Sequence, residues 1–170
     1  MRSVSFVFKG QCILLFLNLK MLSTDSLKLI EITDQNFSLI HSLLKESKTN
    51  GHDFIQRTID DWDSGANKFS KPGEKLWGLI LSTDLIAIGG LNHDPYVKDI
   101  NIGRVRHLYV QRAHRRKGYA SLLMETIIDK GRQHFTVLRL FTDNPAASEF
   151  YETLGFQTIN KPKVSHILNF

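Results

Sequence analysis

Two short stretches of this chain hold residues whose types and spacing can do chemistry. The first is Arg115-Arg116-Lys117-Gly118-Tyr119-Ala120-Ser121, a basic turn that runs into an amphipathic helix. The first N–H groups of a helix have no partner inside it and point outward, and the macrodipole adds about half a positive charge at that end. Gly118 and Ala120 carry little or no side chain, so a bulky phosphate can approach the backbone itself. The second stretch runs Asn144-Pro145-Ala146-Ala147-Ser148-Glu149-Phe150-Tyr151-Glu152-Thr153-Leu154-Gly155-Phe156. Asn144 reads as an N-cap, Pro145 as the first helical residue and Gly155 as a left-handed C-terminal residue. Asn144 and Tyr151 are about two turns apart and project toward nearly the same side. The first stretch can hold an anion, and the second can supply a phenolic proton donor.

The elements around them follow from periodicity. Ala120, Leu123, Met124, Ile127 and Ile128 recur at helical spacing, with Lys130-Gly131 as a basic last turn and a stop. A strand ends at Val110, with Arg104 and Arg106 on one face and His107 at the opposite parity. A further strand over Phe135–Phe141 separates the two stretches. Upstream, Leu27–Ile32 alternates as a strand. Asp34–Glu46 carries Phe37, Ile40, Leu43 and Leu44 at helical spacing, with Asp34 as its cap candidate. Phe54, Ile55, Ile59 and Trp62 form a second helix closed by Gly65. Trp77–Leu81 and Leu85–Leu91 read as a hairpin in which Gly89-Gly90 admits a bulge, and Asn92 to Asn101 is a polar loop. The order is β-α-α-β-β-β-α-β-α-β, with one more strand at the end. It predicts a single α/β domain with a mixed central sheet flanked by helices.

The turn is not a nucleotide-triphosphate loop, which needs Gly-x-x-x-x-Gly-Lys before Ser or Thr, nor a dinucleotide fingerprint, whose first two glycines are missing. Arg115-x-x-Gly118-x-Ala120 after a strand resembles the acetyl-coenzyme A motif of the GNAT superfamily of N-acetyltransferases. The stretch from Asn144 to Phe156 is similar to that family's later signature, Asn-x-x-Ala-x-x-Phe-Tyr-x-x-x-Gly-Phe. The resemblance is firm over the last two thirds of the chain and looser from Ser26 onward.

That resemblance implies an acyltransferase that moves an acetyl group from acetyl-coenzyme A, used as co-substrate, to an amine by direct attack in a ternary complex. An acyl-coenzyme A-binding module without efficient transfer is the alternative. The implied coenzyme contacts are Leu108, Tyr109, Val110, Arg115, Arg116, Lys117, Gly118, Tyr119, Ala120, Ser121 and Asn144, with the Leu108 N–H facing the thioester oxygen. Tyr151 is the implied general acid. Many relatives place a Glu where this chain has Arg104, and another base position is Arg106; neither can accept a proton. His93, Asp94 and Asp99 remain as candidate bases, none assigned. Arg104 and Arg106 suggest a clamp for an anionic group on the acceptor, with pairing to a neighbouring Asp or Glu as the alternative.

The rest of the chain narrows the partners. At 170 residues with 42% hydrophobic and 23% charged residues, the composition suits one globular domain. The net charge of +5 gathers at Arg112 and Arg115–Lys117, which coenzyme A phosphates explain. No helix-turn-helix, zinc or aromatic RNA-binding signature accompanies it, so nucleic acid is not an expected partner. The acceptor is expected to be a small-molecule or peptide amine, and the protein a monomer or homodimer. Cys12 is the only cysteine, and the histidines lack metal-ligand spacing, so no metal is expected. Residues 1–20 imitate a secretory signal faintly, but their apolar run is too short for a membrane span and lacks a cleavage site. They are expected to be a dispensable or over-extended segment before a domain over 21–170, in a cytoplasmic protein with no membrane partner.

Overall fold

The computed structural model describes residues 26–170; the expectation for residues 1–20, and Cys12 with it, lies outside them. Seven strands form one sheet in the order β1-β2-β3-β4-β5-β7-β6. They are β1 (Leu27–Glu31), β2 (Lys75–Leu81), β3 (Asp84–His93), β4 (Ile102–Val110), β5 (Val137–Leu140), β6 (Gln157–Lys161) and β7 (Val164–Asn169). Four α-helices flank them: α1 (His41–Thr49), α2 (Phe54–Asp63), α3 (Tyr119–Arg132) and α4 (Pro145–Thr153). All neighbours are antiparallel except β4 and β5, which pair in parallel only at Ile102↔Val137, Gly103↔Leu138 and Arg104↔Arg139. The single α/β domain with a mixed sheet is the expected one, and the extra terminal strand is β7.

The sheet buries both faces. On one side Ile40, just before α1, with Leu43 of α1 and Ile55, Ile59 and Trp62 of α2, covers Leu76, Leu85, Ile88 and Tyr109. On the other, α3 sets Leu123, Met124 and Ile127 against Trp77, Ala87, Leu91 and Val105. Fully burying an Ile or Leu side chain contributes roughly 1.5–3 kcal/mol, so each face alone outweighs any surface ion pair.

Three local expectations are corrected. Asp34 caps nothing: its Oδ1 accepts hydrogen bonds from Trp62 Nε1 at 3.0 Å and Lys68 Nζ at 2.9 Å. The chain there starts as a short 3-10 turn, Phe37–Ile40, and α1 follows. Gly131 does not stop α3, which continues to Arg132. A Cβ at Gly131 would lie 3.0 Å from Leu138, so the glycine serves close packing of helix on strand.

The third correction concerns His107. Ile88 pairs with Tyr109 but Gly90 with Arg106, so β4 carries one extra residue and two of its residues face Gly89. His107 takes the left-handed conformation, φ 58°. The bulge turns its ring toward Phe54 and Phe69, on the face of Arg106 and Tyr109. Simple alternation placed it on the other side; an inserted residue resets that parity.

Candidate active site

Beyond Arg104, β4 and β5 part, and the β4 edge from Val105 to Val110 has no strand beside it. Gln111 N–H donates to Ile86 O at 2.8 Å. The alternation of an antiparallel ladder then turns the N–H and C=O of Val110 away from β3, toward the open edge. The cleft so made has a volume of about 920 Å³. Its walls are β4 from Arg104 to Val110, the turn before α3, the end of β5 with the start of α4, and His52 with Phe54 and Arg57 of α2.

The anion cradle has the geometry its sequence requires. Arg116 (φ 62°) and Gly118 (φ 83°) are both left-handed, which curls the turn so that successive N–H groups face inward. A Cβ added to Gly118 would meet nothing within 4 Å, leaving space for a ligand. Leu122 N–H closes the first turn of α3 on Gly118 O at 3.0 Å. Arg115, Arg116, Gly118, Tyr119, Ala120 and Ser121 all line the cleft. Lys117 is exposed and is not among them. Arg115 Nε donates to Val110 O at 2.9 Å. His114, also lining, has a buried Nδ1 without a hydrogen-bond partner.

On the opposite wall, Asn144 caps α4. Its Oδ1 accepts from Ala146 N at 2.9 Å and Ala147 N at 3.4 Å, so only its Nδ2 is free for a ligand. The helix ends as Gly155 requires: φ is 89°, Phe156 N–H donates to Tyr151 O and Gly155 N–H to Glu152 O, the paired bonds of a left-handed C-terminal motif. Both Asn144 and Tyr151 line the cleft. Tyr151 is 9% exposed, and its hydroxyl bonds to no described residue. Burial pushes its pKa up to about 12, so it stays protonated throughout the neutral range.

The candidate bases fall away by placement. Both ring nitrogens of His93 face backbone carbonyls, Ile100 O at 3.1 Å and Pro72 O at 2.9 Å. Asp94 is 2% exposed, with Oδ2 3.5 Å from Arg104 and 3.2 Å from Arg139. Asp99 accepts Asn101 N–H in a turn and does not reach the cleft. Of the two readings of Arg104, which lines the cleft, the pairing is the one seen: it is held by Asp94, donates to Lys163 O at 2.8 Å and stacks on Tyr96. Burial lowers its pKa, with Asp94 opposing that shift. Arg106 is half-buried, lines the cleft and pairs with no described residue.

Glu46 went unnoticed in the sequence. Its Oε1 accepts from Tyr109 Oη at 2.8 Å and Arg112 N at 2.7 Å, fastening α1 to the end of β4. Burial disfavours its charge, yet these hydrogen bonds and the nearby Arg115 and Arg112 hold its pKa below the ordinary value. No local pattern marks a contact of this sequence separation. Asp143 was also missed; it is exposed and is the one carboxylate among the lining residues. Among the described residues no group of His, Cys, Asp or Glu could hold a metal ion, and no helix is long and apolar enough to cross a membrane.

Known proteins share this fold. An acetyltransferase of the Staphylococcus aureus Mu50 GNAT family is 16% identical with a TM-score of 0.69, over 85% of this chain and 99% of that one. A protein of Exiguobacterium sp. 255-15, described by inference as an acetyltransferase, is 24% identical at a TM-score of 0.74, over 85% of this chain and 93% of its own. The PaiA N-acetyltransferase of Thermoplasma acidophilum, solved in complex with coenzyme A, is 15% identical at 0.65, over 85% and 99%. These likenesses carry the fold. No curated protein matches in sequence. The model of the acetyltransferase (GNAT) family matches residues 37–156, from the first turn before α1 to the end of the Gly155-Phe156 motif, and the chain therefore belongs to the GNAT acetyltransferase family.

Proposed function

We propose that the chain transfers an acetyl group from acetyl-coenzyme A to the nitrogen of an amine by direct attack, with Tyr151 as the acid. The observation that carries this reading is the unpaired β4 edge beside a left-handed, glycine-bearing anion cradle. The T. acidophilum relative, which holds coenzyme A on the same fold, supports it. The unpartnered His114 Nδ1 and Tyr151 hydroxyl and the open space at Gly118 support the fit as well.

The coenzyme supplies an activated thioester; the chain's residues place and polarise it. Leu108 and Val110 offer main-chain groups to the pantetheine as a neighbouring strand would, with Asn144 Nδ2 opposite. The Leu108 N–H faces the carbonyl oxygen as it gains charge. Arg116 to Ala120 present N–H groups to the pyrophosphate, with Arg115 and Lys117 near the adenosine phosphates. As the C–N bond forms, the C–S bond breaks and sulfur takes the electron pair. A thiol has an ordinary pKa near 8.5, so a phenol near 12 contributes chiefly a hydrogen bond that strengthens as sulfur becomes anionic. The attacking amine gives up its proton to solvent water at the exposed mouth of the cleft, where Phe141 and Asp143 meet solvent, and the sulfur held by the Tyr151 hydroxyl takes one up as it leaves as the thiol.

Tyr151→Phe tests the chemical role. Turnover, read as thiol release, should fall about 10²-fold or more, the usual range for a positioned proton donor, while coenzyme affinity stays within a factor of two. Full turnover in the variant removes Tyr151 from the mechanism. The second reading, a binding module, is favoured by the absence of any Glu at positions 104 and 106; coenzyme binding without thiol release across amines would establish it.

A further inference from the structure

The half of the cleft beside α2 has more hydrogen-bond donors than acceptors. Arg57, exposed, and Arg106, half-buried, both line it, and neither guanidinium makes a hydrogen bond or ion pair with a described residue. Asp94 is taken by Arg104 and Arg139 and Glu46 by Tyr109 and the Arg112 N–H, while Asp53 and Asp61, four residues either side of Arg57, form no ion pair with it and do not line the cleft. Asp143 stands across the cleft, just before α4. His107 lines the same cleft, and its Nε2 is buried and has no partner. Burial first, then the charges of Arg106 and Arg57, push its pKa down to about 3. Both arginines therefore act on the same neutral ring.

A buried polar atom left without a partner costs about 1–3 kcal/mol. Two unpaired guanidiniums around it repel one another and gain nothing from a cationic or purely apolar ligand. An anionic oxygen group meets all three, because it is acceptor-only and suits the guanidinium fork. The site's position limits the spacer. His107 and Leu108 are adjacent, so their Cα atoms are about 3.8 Å apart, and the anion site lies within a few bonds of where an acceptor nitrogen meets the thioester.

We propose that the acceptor of this chain is a short amine that also carries a carboxylate or phosphate, and that Arg106, Arg57 and His107 Nε2–H hold that anionic group. This rests on the acetyl-transfer reading and names the substrate class of the same site. The bulge is what makes it available, since it brings His107 to the face of Arg106.

The test compares kcat/KM for propylamine, β-alanine and 2-aminoethyl phosphate with acetyl-coenzyme A, alongside a separate calorimetric titration with coenzyme A. At least one anionic amine should exceed propylamine tenfold, and which one identifies the oxyanion. Arg106→Gln and Arg57→Gln should each cut that preference tenfold or more, whereas Lys130→Gln, at the far end of α3, should keep it. Coenzyme binding with equal or better use of propylamine, with no reaction of either anionic amine, or with a preference that survives both arginine changes overturns the inference alone. A titration without heat removes the acetyl-transfer reading, and this inference falls with it.

Discussion

Tyr151 is buried and His107 half-buried with its Nε2 out of solvent, and burial drives both toward neutrality. For Tyr151 that means keeping a proton, with a pKa of about 12, which suits a donor. For His107 it means losing one, with a pKa of about 3 against an ordinary 6.5. The unfolded chain therefore takes up a proton at His107 before the folded chain does. The linked stability is fully present above pH 6.5 and is lost as pH falls toward 3. His107→Asn should flatten this loss, because Asn accepts the left-handed conformation and carries no charge. The urea midpoint of the unaltered chain should drop more between pH 7 and pH 4 than that of the variant, by an amount worth a few kcal/mol. Equal drops would mean that the ring is not buried as a neutral imidazole. Tyr151 was legible from its spacing to Asn144 within one helix. The orientation of His107 was not, since a left-handed histidine has no sequence mark and its packing partners lie far upstream.

At the scale of elements, everything depends on how β4 ends its partnership with β5. Three register pairs hold the strands together, and the middle one sets Gly103 beside Leu138. A Cβ at Gly103 would come within 2.7 Å of Leu138 and 2.8 Å of Phe135, closer than side chains tolerate. Gly103→Val should cost about 1–3 kcal/mol, the usual price of overpacking, read as a lower Tm. An unchanged Tm would show that the two strands part more easily than their packing implies. The helices that build the cleft were readable because their signals are local: Asn144, Pro145 and Gly155 for α4, Gly118 for α3. The start of α1 was not, because Asp34 answers to Trp62 and Lys68 from later in the chain. Arg104 was ambiguous for the same reason. An arginine on a strand reads alike whether it meets a ligand or Asp94, and only the loop from β3 to β4 decides between them.

At the scale of the molecule, two packed faces of one sheet fix the walls, and the parting of β4 from β5 opens the cleft between them. A ligand that binds only the folded chain stabilises it by mass action, about 2.7 kcal/mol at a hundredfold excess over Kd. The central claim is that the β4 edge and the turn at Gly118 grip coenzyme A through main-chain donors. The most direct measurement is a calorimetric titration of the chain and of Gly118→Val with acetyl-coenzyme A. Saturable one-to-one binding, weakened at least tenfold by the variant, is expected, since a valine would strain the left-handed turn and fill the space kept for phosphate. No heat with the unaltered chain, or equal affinity in the variant, would contradict it.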